Sequence, residues 1–201
     1  TTGDDEITTG SGADTIVSYA GDDEIVAGDG ANTITVTDGE NDIDGGEGVD
    51  TITAGNGNNT IDGGDGADVI VAGTGNNTIT NSAGNATITA GTGNNTVTNT
   101  AGNSTITLGN GTNTVNLTAG NSTVVTGSGA DDINITAGNN DITAGAGNDT
   151  ISLGTGNDTV DGGTGTDTVD FSIDRGTWAG AITDAETVTA TYTGSATIDA
   201  T

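Results

Sequence analysis

A single apolar position that recurs every nine residues constrains this chain more than any other feature of its sequence. From residue 7 to residue 169, nineteen consecutive Ile or Val residues keep this spacing without an insertion. They are Ile7, Ile16, Ile25, Ile34, Ile43, Ile52, Ile61, Ile70, Ile79, Ile88, Val97, Ile106, Val115, Val124, Ile133, Ile142, Ile151, Val160 and Val169. A glycine precedes each of them by four positions, from Gly3 to Gly165. Such self-similarity indicates a repeat architecture in which each repeat stacks on its neighbours.

Each nonapeptide is too short and too rich in glycine to form a helix, and its composition predicts a turn followed by a strand. Glycine supplies the positive φ angles that a tight turn requires, and Thr with Ile or Val favours the strand. We therefore predict about six turn residues and about three strand residues per repeat. A strand this short must stack on copies of itself to bury its apolar side chain. The predicted fold is all-β, with two nonapeptides in each 18-residue coil and two facing sheets.

The charge of the chain excludes several classes of function. The 201 residues include 29 acidic side chains and one basic side chain, Arg175, which gives a net charge of −28. Low hydrophobicity with high net charge is typical of disorder, but the strict periodicity indicates an ordered solenoid. Without a basic patch the chain is not expected to bind nucleic acid or anionic membranes, and no apolar run is long enough to span a bilayer. The acidic surface favours cations as partners.

Catalysis by this segment is not expected. The chain contains no His and no Cys, which are the commonest general base and the thiol nucleophile of enzymes. Its acidic pairs recur from coil to coil, as structural groups do. The glycine-rich turns also lack the Lys that a phosphate-binding loop uses. We therefore predict that the protein is not an enzyme.

Three nonapeptides carry the complete pattern Gly-Gly-x-Gly-x-Asp-x-aliphatic-x, at residues 45–53, 63–71 and 162–170. This pattern resembles the RTX, or hemolysin-type, calcium-binding nonapeptide repeat, and the resemblance extends over residues 1–170. It implies a right-handed parallel β-roll, which would form a rod about 45 Å long for strands about 4.8 Å apart. It also implies that Ca²⁺ is held between successive turns, and that the protein is secreted, typically by a type I pathway.

The sixth position of the repeat forms two edges, because residues 18 apart in the chain stack on each other. Edge one consists of Asp5, Asp23, Asn41, Asn59, Asn77, Asn95, Asn113, Asp131, Asp149 and Asp167. Edge two consists of Asp14, Asn32, Asp50, Asp68, Ala86, Ser104, Ser122, Asn140 and Asp158. The ends of the rod therefore keep their carboxylates, whereas the middle loses them.

The RTX resemblance implies that stacked aspartates are calcium ligands, since calcium takes six to eight oxygens from carboxylates and carbonyls. The candidate metal ligands are Asp5, Asp14, Asp23, Asp50, Asp68, Asp131, Asp149, Asp158 and Asp167. The strongest gaps are expected at Asp5/Asp23, Asp50/Asp68, Asp131/Asp149 and Asp149/Asp167. Asp14 beside Asn32, and Asp158 beside Asn140, are expected to be weaker sites, because one member of each pair is neutral.

The asparagines in the middle of edge one predict an amide ladder, in which each side chain bonds to the next. Neutral amides do not repel one another, so these coils are expected to hold together without an ion. The alternative is that Asn oxygens and backbone carbonyls still hold calcium weakly. At the ends of the rod, repulsion between aspartates about 5 Å apart predicts that folding is coupled to calcium binding.

Residues 171–201 leave the nine-residue register and contain the only Trp and Phe of the chain. We predict that residues 1–170 form the β-roll. Residues 171–201 are expected to form a C-terminal cap or tail, or to begin a following β segment. Trp178 falls nine residues after Val169 and is expected to cover the last coil, since the ends of solenoids require capping.

The leading interpretation of function is an extracellular structural module at the cell surface. Such a calcium-stabilised rod would belong to a surface layer, an adhesin or a filament that self-assembles through exposed strand edges. One alternative is an ice-binding module, because a row of turn residues resembles the turns of ice-binding RTX repeats. This row contains Asn56, Asn58, Thr74, Asn76, Thr92 and Asn94. A second alternative is the non-catalytic secretion tail of an RTX toxin or protease.

Overall fold

The structure is a computed structural model that describes residues 2–170, together with the backbone of three further strands at residues 181–184, 187–191 and 199–200. All secondary-structure elements among these residues are β-strands, which alternate between two sheets. The odd sheet contains β1 (Glu6–Thr8), β3 (Glu24–Val26), β5 (Asp42–Asp44), β7 (Thr60–Asp62), β9 (Thr78–Asn81), β11 (Thr96–Asn99), β13 (Thr114–Leu117), β15 (Asp132–Ile135), β17 (Thr150–Ser152), β19 (Thr166–Asp170) and β21 (Thr187–Thr191). The even sheet contains β2 (Thr15–Val17), β4 (Thr33–Thr35), β6 (Thr51–Ala54), β8 (Val69–Ala72), β10 (Thr87–Ala90), β12 (Thr105–Leu108), β14 (Thr123–Val125), β16 (Asp141–Thr143), β18 (Thr159–Gly163), β20 (Ala181–Asp184) and β22 (Asp199–Ala200).

Each strand pairs in parallel with the strand two positions along the chain, so two successive strands make one coil. Ile7 pairs with Ile25 at the first coil, and Ile151 pairs with Val169 at the last regular coil. The 18-residue offset persists over β1–β19, and about nine coils result. The predicted all-β solenoid with two facing sheets is therefore confirmed.

Hydrogen bonds between coils continue from the strands into the turns. The backbone N–H of Gly57 donates to the carbonyl of Thr74 at 2.9 Å, and the N–H of Thr60 donates to the carbonyl of Asn41 at 2.8 Å. The turns stack so closely that a Cβ on Gly75 would collide with the Gly57 carbonyl one coil earlier. Gly75 also has a φ of +135°, a conformation that favours glycine. These two constraints explain why the turn requires a glycine at this position.

The core is a narrow column of stacked aliphatic side chains. The Ile or Val of the nine-residue column points inward from each of the strands β2–β19, and from Ile25 to Val169 this column is at most 1% exposed. A second inward position holds aliphatic residues such as Ala54, Ala90 and Leu117 on several strands, and Asn81 and Asn99 on β9 and β11. Burying one Ile or Val side chain contributes about 1.5–3 kcal/mol. Although each coil contributes few such side chains, the repetition gives the rod a continuous apolar interior.

The sheets extend beyond residue 170 with a changed offset. Val160 of β18 pairs with Ile182 of β20, and Val169 of β19 pairs with Ala190 of β21. The offset between partners therefore exceeds 18 residues in this part of the chain. The division at residue 170 stays a prediction, and the proposed capping residue Trp178 lies outside the described residues.

Candidate functional site

The sixth residue of each nonapeptide turns its side chain toward the inside of the coil. It lies two positions before the inward-facing Ile or Val, and residues two apart in an extended chain share a face. Seven of the nine predicted ligands are buried there, with exposed fractions of 0–2%: Asp23, Asp50, Asp68, Asp131, Asp149, Asp158 and Asp167. Asp5 and Asp14, which belong to the first coil, are half-buried.

One carboxylate oxygen of these aspartates, Oδ1, accepts a hydrogen bond from the backbone of the preceding coil. The backbone N–H of Asp50 donates to Oδ1 of Asp68 at 2.8 Å, and the N–H of Asp131 donates to Oδ1 of Asp149 at 2.8 Å. The same bond joins the other two pairs, Asp5/Asp23 and Asp149/Asp167, at 3.0 Å in each case. The structure thus brings two aspartates together in all four of the gaps that were expected to be strongest.

The second oxygen of several buried carboxylates has no such bond. Oδ2 accepts no hydrogen bond from any described residue in Asp23, Asp50, Asp68, Asp131 and Asp149. Buried polar atoms are nearly always hydrogen-bonded in folded proteins, and an exception calls for an explanation such as a bound ion. Five such exceptions at equivalent positions of one repeat indicate a shared cause.

The asparagines at the same position reveal what surrounds this second oxygen. Nδ2 of Asn77 donates to the backbone carbonyls of Gly73 and Gly75, at 3.2 and 3.1 Å. It also donates to Oδ1 of Asn95 in the next coil at 3.0 Å. We call this space the turn cage of a sixth-position residue. It is bounded by the carbonyls two and four residues earlier and by the sixth-position oxygen of the next coil.

An aspartate places an oxygen where an asparagine places its amide nitrogen, because the two side chains have the same shape. The turn cage of an aspartate is then lined by oxygens without a donor, which fits a hard cation such as Ca²⁺. At Asp50 and Asp68, a glycine five residues earlier keeps the neighbouring space open. A Cβ on Gly45 would lie 2.8 Å from Oδ2 of Asp50, and a Cβ on Gly63 would lie 3.2 Å from Oδ2 of Asp68.

The protonation of the buried carboxylates reflects this environment. Burial, followed by repulsion from the nearby carboxylates, chiefly that of Asp50, raises the pKa of Asp68 to about 6. The pKa of Asp149 is likewise raised to about 6, by burial and then by the carboxylates of Asp131 and Asp167. In both residues the hydrogen bond from the preceding coil opposes the shift. A bound cation would favour the charged form and reverse the effect of burial.

Side chains alone do not complete a metal site. Among the described residues, no group of three or more acidic side chains lies close enough to hold an ion. Each gap offers two carboxylates, so backbone carbonyls would have to supply much of the six to eight oxygens that calcium takes. The sequence indicated the aspartates but not these particular carbonyls. One of these carbonyls belongs to the glycine that stands two residues before each aspartate, and the recurrence of this glycine is the sequence signal for it.

The two gaps that were expected to be weak differ from each other. The backbone N–H of Asp14 donates to Oδ1 of Asn32 at 2.9 Å. The Asn32 amide donates to the carbonyls of its own turn, Gly28 at 3.1 Å and Gly30 at 3.3 Å, and to the carbonyl of Gly45 at 3.2 Å. In the other gap, Nδ2 of Asn140 donates directly to Oδ1 of Asp158 at 2.9 Å. The Asn140/Asp158 gap therefore already contains a hydrogen-bond donor.

The predicted amide ladder in the middle of edge one is confirmed. Its rungs are hydrogen bonds of 2.9–3.1 Å from Nδ2 of one side chain to Oδ1 of the next. They join Asn41, Asn59, Asn77, Asn95 and Asn113. On edge two, the hydroxyl oxygens of Ser104 and Ser122 accept the equivalent backbone bonds from the preceding coil.

Parallel sheets of short strands, 18-residue coils and oxygen-lined turns define the class of β-solenoids built from nonapeptide repeats. The sequence profile of the RTX calcium-binding nonapeptide repeat matches residues 1–34, 44–79, 71–106, 80–115, 89–124, 107–134 and 135–169. The chain therefore belongs to the family of RTX calcium-binding nonapeptide repeat proteins, whose repeats bind Ca²⁺. No curated protein and no solved structure matched the chain.

Family membership agrees with the expectations about catalysis and location at a coarse level. The RTX β-solenoid is a non-catalytic structural fold, and RTX repeats are typical of secreted proteins. None of the described residues forms a helix long and apolar enough to cross a membrane.

Proposed function

We propose that this chain is an extracellular structural module, a rod stiffened by calcium in a surface layer, an adhesin or a self-assembling filament. The observation that carries the proposal is the set of five buried Oδ2 atoms that accept no hydrogen bond from any described residue. A buried charge without a partner costs several kcal/mol. A cation shared by two stacked carboxylates would remove this cost and would also join two coils.

The proposed ligands are the stacked aspartates and the turn carbonyls beside them. The gaps Asp50/Asp68, Asp131/Asp149 and Asp149/Asp167 are assigned as the strongest sites, because both carboxylates of each pair are buried. Asp5/Asp23 lies at the start of the chain, where Asp5 is half-buried. Asp14 and Asp158 are assigned as weaker ligands, since each is stacked against an asparagine.

Calcium would also act as the switch between an unfolded and a folded chain. Extracellular modules bind calcium at roughly 10⁻⁴–10⁻³ M, well above the concentrations at which cytosolic sensors respond. The repelling carboxylates would therefore keep the ends of the rod unfolded inside the cell, and the chain would fold after type I secretion. The module itself would perform no catalysis, and it would serve as a rigid spacer that presents an exposed surface.

A calcium titration of chelated protein, followed by far-UV circular dichroism, tests this proposal. We expect a cooperative gain of β signal near millimolar calcium, with little response to magnesium, which demands a stricter octahedral geometry. The variant Asp68→Asn should require less calcium to fold, whereas the exposed control Asp42→Asn should resemble the parent. A titration without any change in the β signal or in bound calcium would refute the calcium switch.

Ice binding is a second candidate, and the rigidity of the exposed turn row favours it. Oδ1 of Asn56 accepts hydrogen bonds from the backbone N–H of Thr74 at 3.1 Å and from its hydroxyl at 2.8 Å. Oδ1 of Asn58 accepts the N–H of Asn76 at 2.8 Å, and Oδ1 of Asn76 accepts the N–H of Asn94 at 2.8 Å. These bonds hold the exposed side chains at a regular spacing, as recognition of a lattice would require.

Inhibition of ice recrystallisation separates the two candidates. An ice-binding rod should inhibit recrystallisation in calcium, and substitution of Thr92, which lies in the middle of the row, by Tyr should abolish the effect. The same substitution on the opposite turn edge, Ser82→Tyr, should leave it intact. A folded rod that has no effect on ice would refute ice binding.

A further inference from the structure

We propose that, in the middle coils, the asparagine side-chain amide occupies the position that a cation takes in the aspartate coils. The middle of the rod then carries its own substitute for the ion and folds without calcium. It serves as a nucleus onto which calcium adds the coils at each end. This inference rests on the proposed calcium sites for the ends of the rod.

The position of the amide nitrogen is the first step. Nδ2 of Asn95 lies 3.1 Å from the carbonyl of Gly91, 3.0 Å from the carbonyl of Gly93 and 3.1 Å from Oδ1 of Asn113. One nitrogen is thus directed at three oxygens from two coils. An amide group has two N–H donors, and its partial positive charge faces the oxygens that the ion would otherwise join.

The repetition of this geometry is the second step. Asn59 and Asn77 bond to their own turn carbonyls and to the next coil in the same way, at 3.0–3.2 Å. Asn113 also bonds to its two turn carbonyls, and its third bond goes to Oδ1 of Asp131, at 3.0 Å. Four consecutive cages are therefore filled by an amide, and these residues are at most 1% exposed.

The comparison with the aspartate cages is the third step. A buried carboxylate brings a negative charge and an acceptor into a space lined by acceptors, and it is stable there only with a cation. The amide has the same shape, no charge and two donors. The choice between Asp and Asn at one position therefore decides whether a coil-to-coil contact depends on calcium.

The consequence is a rod of two kinds of segment. The coils of residues 77–122 carry no carboxylate at the sixth position of either edge, and they retain their cage bonds when calcium is removed. Coils that contain buried aspartates lose the ion that joins them and separate more readily. These aspartates include Asp23, Asp50, Asp68, Asp131 and Asp149. In chelator the chain should therefore be a short folded solenoid with frayed ends, in line with the additive stability of repeat proteins.

Exchanging the residue type within the full chain tests this inference. The variant Asn77→Asp/Asn95→Asp places two carboxylates in one middle cage, as Asp50 and Asp68 do on edge two. The control Asn76→Asp/Asn94→Asp adds the same charge one residue earlier, at exposed positions of the same turns. Bound calcium is counted by isothermal titration calorimetry, and amide hydrogen exchange in chelator reports which coils remain folded.

We expect the inner variant to bind at least one more calcium ion than the parent, and the control to bind the parental number. In chelator, amides of residues 77–113 should be protected in the parent and the control, and their protection should fall by roughly tenfold or more in the inner variant. An inner variant that folds in calcium but gains no ion would overturn the inference. Uniform exchange of all coils in the chelated parent would also overturn it.

The reciprocal variant Asp50→Asn keeps the test decisive if the inner variant does not fold. The new amide should donate to its turn carbonyls and to Oδ1 of Asp68, as Asn140 does to Asp158. We expect one calcium ion fewer and slower exchange in chelator around residue 50. An unchanged ion number, or faster exchange, would contradict the inference. If the parent binds no calcium at all, it is instead the proposed function that fails.

Discussion

The substitution Asp149→Asn is expected to change protein stability in opposite directions depending on calcium. Asp149 is 1% exposed and stacks between Asp131 and Asp167, so it contributes to two of the proposed gaps. The substitution removes a negative charge from the middle of this stack. It also introduces the amide that fills the equivalent cages of the middle coils.

Without calcium the substitution should stabilise the fold. The pKa of Asp149 is raised from 3.8 to about 6, and each pKa unit corresponds to about 1.4 kcal/mol. An Asp whose pKa is raised by folding stabilises the folded state fully only below its unfolded pKa. This stabilisation is lost as the pH rises through the folded pKa. At pH 7.5 the parent therefore carries a penalty of about 3 kcal/mol at this residue, and Asn removes it.

With calcium the substitution should destabilise the fold. A ligand at 100 times its dissociation constant adds about 2.7 kcal/mol per site. Loss of the calcium ions in both gaps would therefore cost about 5 kcal/mol of stability. Removal of the buried charge offsets only part of this loss. The expected net change is a loss of about 2 kcal/mol. The effect of the substitution thus reverses sign between chelator and saturating calcium.

Urea unfolding followed by far-UV circular dichroism, in chelator and in calcium, measures both values. The control Asp132→Asn removes the same charge from an exposed neighbouring residue and should change the stability little in either condition. If Asp149→Asn shifts the free energy of unfolding in the same direction in both conditions, the assignment of Asp149 to the calcium gaps is wrong.

Three further predictions follow from the pKa values, the turn stacking and the core. Calcium affinity should weaken as the pH falls through about 6, because protons compete for Asp68; titrations at pH 5 and 7.5 that give equal affinities would contradict this. Gly75→Ala should destabilise the rod by at least about 1–3 kcal/mol, from its positive φ alone, whereas the exposed Thr74→Ala in the same turn should change thermal stability little. Ile79→Ala should lower the free energy of unfolding by about 2–5 kcal/mol, whereas the exposed Thr78→Ala should change it by no more than about 0.5 kcal/mol. Urea unfolding measures both values, and similar values for the two variants would refute the packing of the Ile column.

The sequence was sufficient for the fold because one period determines it. The nine-residue spacing of Ile25 and its equivalents identifies the inward column, the parallel pairing and the 18-residue coil. The pairing of aspartates across coils followed from the same spacing. A repeat without insertions leaves few alternatives, since a shift by one residue would expose every apolar side chain.

The details of the site could not be obtained in this way. Spacing places Asp50 beside Asp68, but it does not tell which carboxylate oxygen accepts the backbone N–H and which is left without a bond. This depends on the backbone conformation of the turn, which directs the carbonyls of residues such as Gly73 and Gly75 into the cage. The raised pKa of Asp68 depends in part on Asp62 and Asp65, which lie outside the sixth-position column of the repeat.

The stacking of coils along one axis has a mechanical consequence. One coil adds about 4.8 Å to the length of the rod, but its 18 residues, when pulled out straight, span about 60 Å. A force on an end of the chain would peel coils away one at a time, and each event would release more than ten times the length that the coil occupied. Bound calcium would then set the force at which the end coils yield, and the asparagine coils would be the last to give way. A module of this kind would act as an extensible tether whose stiffness follows the calcium of its surroundings.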